Sequence, residues 1–438
     1  MDRPQLTNKV TWEPWACGPT PSGIEGTQLS NSTVETQRFD REIAPRLAKQ
    51  IGVPKRWDDK GSDRFSYFED DTNFVVIAGP EQGAETELAL ARGLTNCGSR
   101  RLVLVLPTQW SFSTMQRVPW FVDDVRPQVY LHDGNLAHEV QPRPKRDTIA
   151  ALTRRLKPRQ DLAHELRKAA TPVHFGPRSR DVFELVEWAT KDQRLDPGHR
   201  RSERSWHCMG QKVLSIKGAA GGLMVRGGIH FGANKDGSHF VEAGRPLTGR
   251  TMDNVLDDVE RGIKDRLDGN FTLPDEHWLQ AVIGQRPSLV GVEQPALREL
   301  PAWRPKSELE WHRGYIDLMG VDAHGDLRLI ETKLAKNKDD LLILQGLDYY
   351  IWARAYESEL RTRLGTPEAS QLQLHYVIGD VPATGKISVS PFAAAQAHGL
   401  DPEVPWRFQT VRGWFNPGGS APRIRADLLE PRVMPSSE

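Results

Sequence analysis

YIDLMGVDAHGDLRLIETK, residues 315–333, carries two apolar runs on either side of the turn DAHGD. In a strand alternate residues share a face, so Tyr315, Asp317 and Met319 lie together, as do Leu327, Leu329, Glu331 and Lys333. Gly325 supplies the tolerance of positive φ that a hairpin turn needs, so the strands pair antiparallel and bring Asp317 near Glu331. Two carboxylates in a half-buried place repel each other and lose hydration, a cost that a proton or a cation must offset. Mg²⁺ takes a few carboxylate oxygens, water and substrate phosphate, a set that Asp317 and Glu331 can begin. Lys333 then stands where an ammonium stabilises charge on a phosphate oxygen or, with a lowered pKa, deprotonates an attacking water. The chemistry implied is phosphodiester hydrolysis. The alternative is an ion-pair network on an exposed hairpin, worth little to stability.

Working outward, DDLLILQGLDYYIWARAY predicts a helix, apolar on most sides, with Gln345 and Tyr349 one turn apart on one face. Upstream, LPDEHWLQAVIGQ predicts a helix beginning near Pro274, with Glu276 in its first turn, where an acid serves either the helix dipole or the site. A strand from PAWRPKSELEWHR and a later one from LQLHYVIGD complete the order.

Asp317 followed by Glu331-Thr332-Lys333 resembles the PD-(D/E)XK nuclease superfamily, with Ile316 where the family name has proline. Gln345 and Tyr349 match the Gln-x-x-x-Tyr motif of its RecB-like members, and the segment from Leu289 to Lys333 is similar to the nuclease half of EndoMS/NucS-type mismatch endonucleases. The resemblance implies an α/β fold with a C-terminal restriction-endonuclease-like αβββαβ core over 271–400. It also implies a deoxyribonuclease of bacterial repair or defence that leaves a 5′-phosphate. By the same resemblance Asp317, Glu331 and Glu276 hold Mg²⁺, with Mn²⁺ able to replace it, and Lys333, Gln345 and Tyr349 complete the catalytic set. Endonuclease and exonuclease both stay open, and a cut on both strands favours a homodimer. The other functional class is a catalytically inactive or gated nuclease fold that binds nucleic acid or a partner. Trp303, Trp311 and Trp352 are available either to stack on bases or to pack in the core.

The first 270 residues read as a separate N-terminal α/β part. Residues 1–61 are largely irregular apart from the helical period of DREIAPRLAKQIG. NFVVIAGP, RRLVLVLP and QVYLHD predict buried strands, with AETELALARGL a helix between the first two, so 62–204 is expected to hold a small parallel α/β domain. Its turn AGPEQGAETE lacks the Lys-Ser/Thr of a phosphate loop and offers Glu81 and Glu85 instead. Residues 143–168 carry nine basic and three acidic residues. Arg154, Arg155 and Lys157 are therefore candidate phosphate contacts, or else a solvated helical surface. Residues 205–270 are expected to form a β-hairpin, QKVLSIKGAAGGLMVRGGIHFG, and a connecting amphipathic helix, TMDNVLDDVERGIKDRLDG. The tail, 401–438, is expected to be loosely structured.

With 438 residues, two or three domains are expected. Apolar residues at 38% and charged ones at 26% place the chain among globular proteins. Fifty-eight basic residues balance fifty-eight acidic ones, so any attraction to DNA must come from local patches. Cys17, Cys97 and Cys208 lie far apart, which disfavours a disulfide framework and a zinc site and fits a reducing cytoplasm. No signal-peptide pattern or membrane-spanning run is present in the sequence, so no membrane is expected.

Overall fold

In a computed structural model of the chain, the residues described are 38–57, 65–79, 85–154, 180–200, 203–229, 238–268, 274–305, 311–335, 340–366, 370–417 and 424–429. They form a mixed α/β structure with three sheets and ten α-helices among the described residues.

The first sheet has strands β1 (Phe65–Glu69), β2 (Asn73–Ala78), β3 (Arg101–Pro107), β4 (Gln128–His132) and β5 (Ala137–Val140), in that spatial order. β2, β3 and β4 are parallel, and β1 and β5 flank them antiparallel. The three apolar runs of the sequence are these parallel strands, covered on both faces as such strands must be. On one face lies α1 (Ala44–Gln50), through Ala44, Leu47 and Ala48 against Phe68, Val75 and Val103. The other face receives α2 (Glu85–Asn96), against which α3 (Phe112–Arg117) packs, and α4 (Lys145–Thr153) adds Leu152 to the same core.

The second sheet runs β6 (Asp196–Arg200), β7 (Glu203–Cys208), β8 (Gln211–Ala219), β9 (Gly222–Gly227) and β10 (Ser238–Glu242) as an antiparallel meander. α5 (Phe183–Lys191) and α6 (Gly249–Leu267) pack on it, α6 through Val255, Val259 and Ile263. The expected hairpin is β8 and β9, but it is part of a five-stranded sheet, and the expected boundary between 204 and 205 falls inside β7.

The third sheet has β11 (Glu293–Pro305), β12 (Trp311–Val321), β13 (Leu327–Leu334), β14 (Leu372–Gly379), β15 (Trp406–Arg412) and β16 (Arg425–Leu429). β11 to β13 are antiparallel neighbours, β14 and β15 run parallel to β13, and β16 closes the edge antiparallel. The segment expected to be a loose tail therefore contributes two strands. One face is covered by α7 (Glu276–Gln285), whose Trp278, Leu279, Val282 and Ile283 form the stripe that buries Leu318, Ile330 and Val377. Against the other face lies α8 (Leu342–Ala355), followed by α9 (Glu357–Leu364) and α10 (Pro391–His398). α8 is apolar nearly all round, and a helix of that kind has to be enclosed.

What encloses α8 overturns the expected separation of the N-terminal part. Phe74, Val76, Leu90 and Leu104 of the first sheet and its helix belong to one continuous core with Met319, Leu329, Leu347 and Trp352. α10 packs against α2, and α8 against α3 and α4, so the first and third sheets share a helical layer. The apolar sides of the two units meet there. Among the described residues no helix is long and apolar enough to cross a membrane.

Candidate functional site

The hairpin forms as its residues require. Gly325 has φ 87°, and Asp322 Oδ1 accepts the N–H groups of His324 and Asp326 at 2.8 and 2.9 Å, so the turn closes itself. Ladder pairing between β12 and β13 runs from Val321–Leu327 to Leu318–Ile330 and stops there. One step further along this register, Asp317 and Glu331 fall opposite each other.

Where the pairing stops, side chains take over from the backbone. Asp317 Oδ2 accepts the N–H of Thr332 at 2.8 Å and its hydroxyl at 2.7 Å. Gln280 on α7 lies near enough to favour the ionised form of the same carboxylate. Glu331 is only 4% exposed, and its Oε2 is buried without a hydrogen-bond partner. Lys333 Nζ donates to Glu276 Oε1 at 3.0 Å and Oε2 at 3.3 Å. Glu276 sits where it does because Asp275 caps α7, its side chain accepting the Trp278 N–H at 2.8 Å.

The electrostatics follow from that crowding. Burial raises the Glu331 carboxyl well above the ordinary range, and the charges of Asp317 and Glu276 raise it further against the pull of Lys333. Burial also raises Asp317, opposed by the Thr332 hydroxyl and N–H. Glu276 is raised by burial, opposed by Lys333 and reinforced by Asp317. Three acids that disfavour one another's ionisation are thus held around one lysine.

On the α8 side, Gln345 Nε2 donates to Tyr349 Oη at 3.2 Å. Burial raises the Tyr349 phenol, and the charge of Glu331 raises it further. Its hydroxyl fits because residue 314 is glycine: a Cβ there would stand 2.7 Å from Tyr349 Oη. Arg304 on β11 lies over the Tyr349 ring, 5.6 Å from the centroid, and acts electrostatically on Glu331.

The structure therefore brings together Asp317, Glu331, Lys333, Glu276, Gln345 and Tyr349. Arg154 is exposed at the end of α4, and Arg155 and Lys157 lie outside the described residues, as does Glu81 of the AGPEQGAETE turn, whereas Glu85 begins α2. Of the tryptophans, Trp303 and Trp352 are buried in the core. The sequence alone assigns no role to Thr332, Gln280, Arg304 or Gly314. Gln280 carries a usable signal, one helical turn after Glu276, and Thr332 stands inside the Glu-x-Lys tripeptide. For Arg304 and Gly314 only the fold supplies the connection.

Among the described residues no group of three or more His, Cys, Asp and Glu side chains is gathered as a ready-made metal centre. Mg²⁺ does not need one, since one or two carboxylates with water and phosphate suffice. The donor chemistry fits such an ion: the oxygens are hard, Glu331 Oε2 is unbonded, and crowding penalises every negative charge. Glu276 accepts from Lys333 and keeps lone pairs that could join the set.

Compared with known proteins, the chain matches no family model, no curated protein and no solved structure.

Proposed function

We propose that the chain is a metal-dependent nuclease of the PD-(D/E)XK kind, hydrolysing phosphodiester bonds of DNA. The observation that carries the reading is the buried, unbonded Glu331 Oε2, set beside Asp317 and Lys333 where β12 and β13 stop pairing. Support comes also from the element order α7, β11, β12, β13, α8, β14, which is the αβββαβ order the resemblance implies.

Asp317 and Glu331, with Glu276 beside them, would hold Mg²⁺ or Mn²⁺. When bound, such an ion supplies Lewis-acid activation of water and neutralises charge on the phosphate. The chain's own groups do the rest. Thr332 fixes one oxygen of Asp317, which leaves the other to face the ligand. Lys333 turns from Glu276 to the scissile phosphate, where its ammonium steadies the extra negative charge of the pentavalent state. Gln345 and Tyr349, held by their mutual hydrogen bond, orient the strand.

The test is cleavage of supercoiled, linear, single-stranded and branched DNA with Mg²⁺, Mn²⁺ or EDTA, with Lys333→Ala alongside. Metal-dependent cutting by the wild type, lost in the variant, is the expected result. Folded wild-type protein that cuts none of these substrates with either ion would overturn it, and retained DNA binding in that case would leave a binding module.

A further inference from the structure

Two arginines outside the site grip the helices that carry it. Arg117, from α3, is fully enclosed, with a side chain only 1% exposed. It donates to Asp348 through Nε at 2.7 Å and Nη2 at 2.6 Å, and Nη2 also lies 3.1 Å from Glu87 on α2. Asp348 precedes Tyr349 and lies one helical turn from Gln345, so the fork fastens α8 at the residue next to the tyrosine.

Arg266, from α6 on the second sheet, does the same to α7. Its Nη1 lies 2.8 Å from Asp275 Oδ2, and its Nη2 donates to Asp275 Oδ1 at 3.0 Å and to the Met209 carbonyl at 2.7 Å. The guanidinium also lies over the Trp278 ring, 4.9 Å from its centroid. Asp275 is the cap residue immediately before Glu276. In each case a guanidinium from a helix outside the third sheet's own chain segment forms a two-bond fork with an aspartate that adjoins a site residue in the chain.

A fork of this kind fixes orientation as well as charge, which a lysine's point charge does not. We propose that Arg117 and Arg266 are positioning residues: Arg117 sets Tyr349 and Gln345 through Asp348, and Arg266 sets Glu276 through Asp275. The first and second sheets are then working parts of the site and not appended modules. This inference rests on the nuclease reading for its effect on rate, but the fastening of the two helices stands apart from it.

The experiment uses the full chain with Arg117→Lys and Arg266→Lys, and Arg117→Gln and Arg266→Gln as the more severe pair. Two readouts are taken: amide hydrogen exchange of residues 276–285 and 342–355, and steady-state cleavage of DNA with Mg²⁺. Arg117→Lys is expected to speed exchange in 342–355 and leave 276–285 protected, with Arg266→Lys giving the reverse. Each is expected to lower kcat about 10- to 100-fold with KM for DNA unchanged, the size of effect a misplacement of about 1 Å brings. If the wild type does not cut DNA, the nuclease reading fails, and the helix-specific exchange still decides the clamps. Lysine variants with unchanged exchange or full kcat, exchange that rises throughout the chain alike, or lysine variants that do not fold would each overturn the proposal.

Discussion

At the scale of single residues, Asp317 and Glu331 are opposite strand neighbours with different duties. Glu331 keeps a buried oxygen unbonded and is repelled by two other acids, so it costs stability. Glu331→Gln is expected to melt at or above the wild-type temperature in EDTA while losing metal-dependent cleavage. A loss of more than about 1 kcal/mol would mark the carboxylate as a structural partner. Asp317, in contrast, accepts both the N–H and the hydroxyl of Thr332. Asp317→Ala leaves a buried N–H unpaired and is expected to lose about 1–3 kcal/mol in a urea melt. Crowding alone, which is all the sequence reveals, predicts no such loss, because the hydrogen bonds arise only where the ladder ends. The carboxylates, the lysine and the Gln/Tyr pair were legible, because alternation and helical spacing are local rules. The partners of those residues were not, since nothing in the spacing foretells that Thr332 bonds to Asp317 across the parting strands.

At the scale of elements, β12 and α8 meet so closely that Gly314 is a packing requirement. Gly314→Ala sets a Cβ 2.7 Å from Tyr349 Oη and 3.2 Å from Arg304 Nε. The variant is expected to stay folded, to lose about 1–3 kcal/mol by overpacking, and to lose about 10- to 100-fold in kcat as the tyrosine moves. Unchanged kinetics would show that the Tyr349 position is unimportant. The elements that the sequence disclosed are those buried on both faces or strongly amphipathic, such as β2, β3, β13 and α6. Those it hid are chiefly edge strands, with β7 and β15 the interior exceptions. β16 has mostly exposed side chains, β5 is likewise thinly covered, and β6 contains Pro197 and Gly198, residue types that favour turns. An edge strand is held by one neighbour's backbone and needs no apolar run, so its pattern is silent.

At the scale of the whole molecule, stability depends on groups that the fold keeps from titrating. His375 on β14 is 1% exposed, and burial, with Arg328 and Arg407 nearby, lowers its pKa from 6.5 to about 2. The unfolded chain takes up a proton as pH falls through about 6.5 while the folded chain does not. Stability is therefore full above that pH and declines below it, by up to about 1.4 kcal/mol per pH unit from this group. His375→Gln is expected to lessen the fall in melting temperature between pH 7 and pH 5. An identical fall in the two proteins would assign it to other groups. Legibility is poorest at this scale: the sequence pointed to separable domains, whereas the core is continuous from β2 to β14. Arg117 and Asp348 are 231 positions apart, and no local pattern links them.

The shared helical layer has a consequence for the chain while it is being made. The first sheet and its helices are complete once residue 153 has emerged, yet the helices that cover their inner side, α8 and α10, end at 355 and 398. At roughly 5–20 residues per second, that side waits on the order of 10–50 s for its cover during synthesis. Through that interval the nascent first half presents apolar surface to its surroundings, and a chaperone or a pause in translation has its longest opportunity to act there.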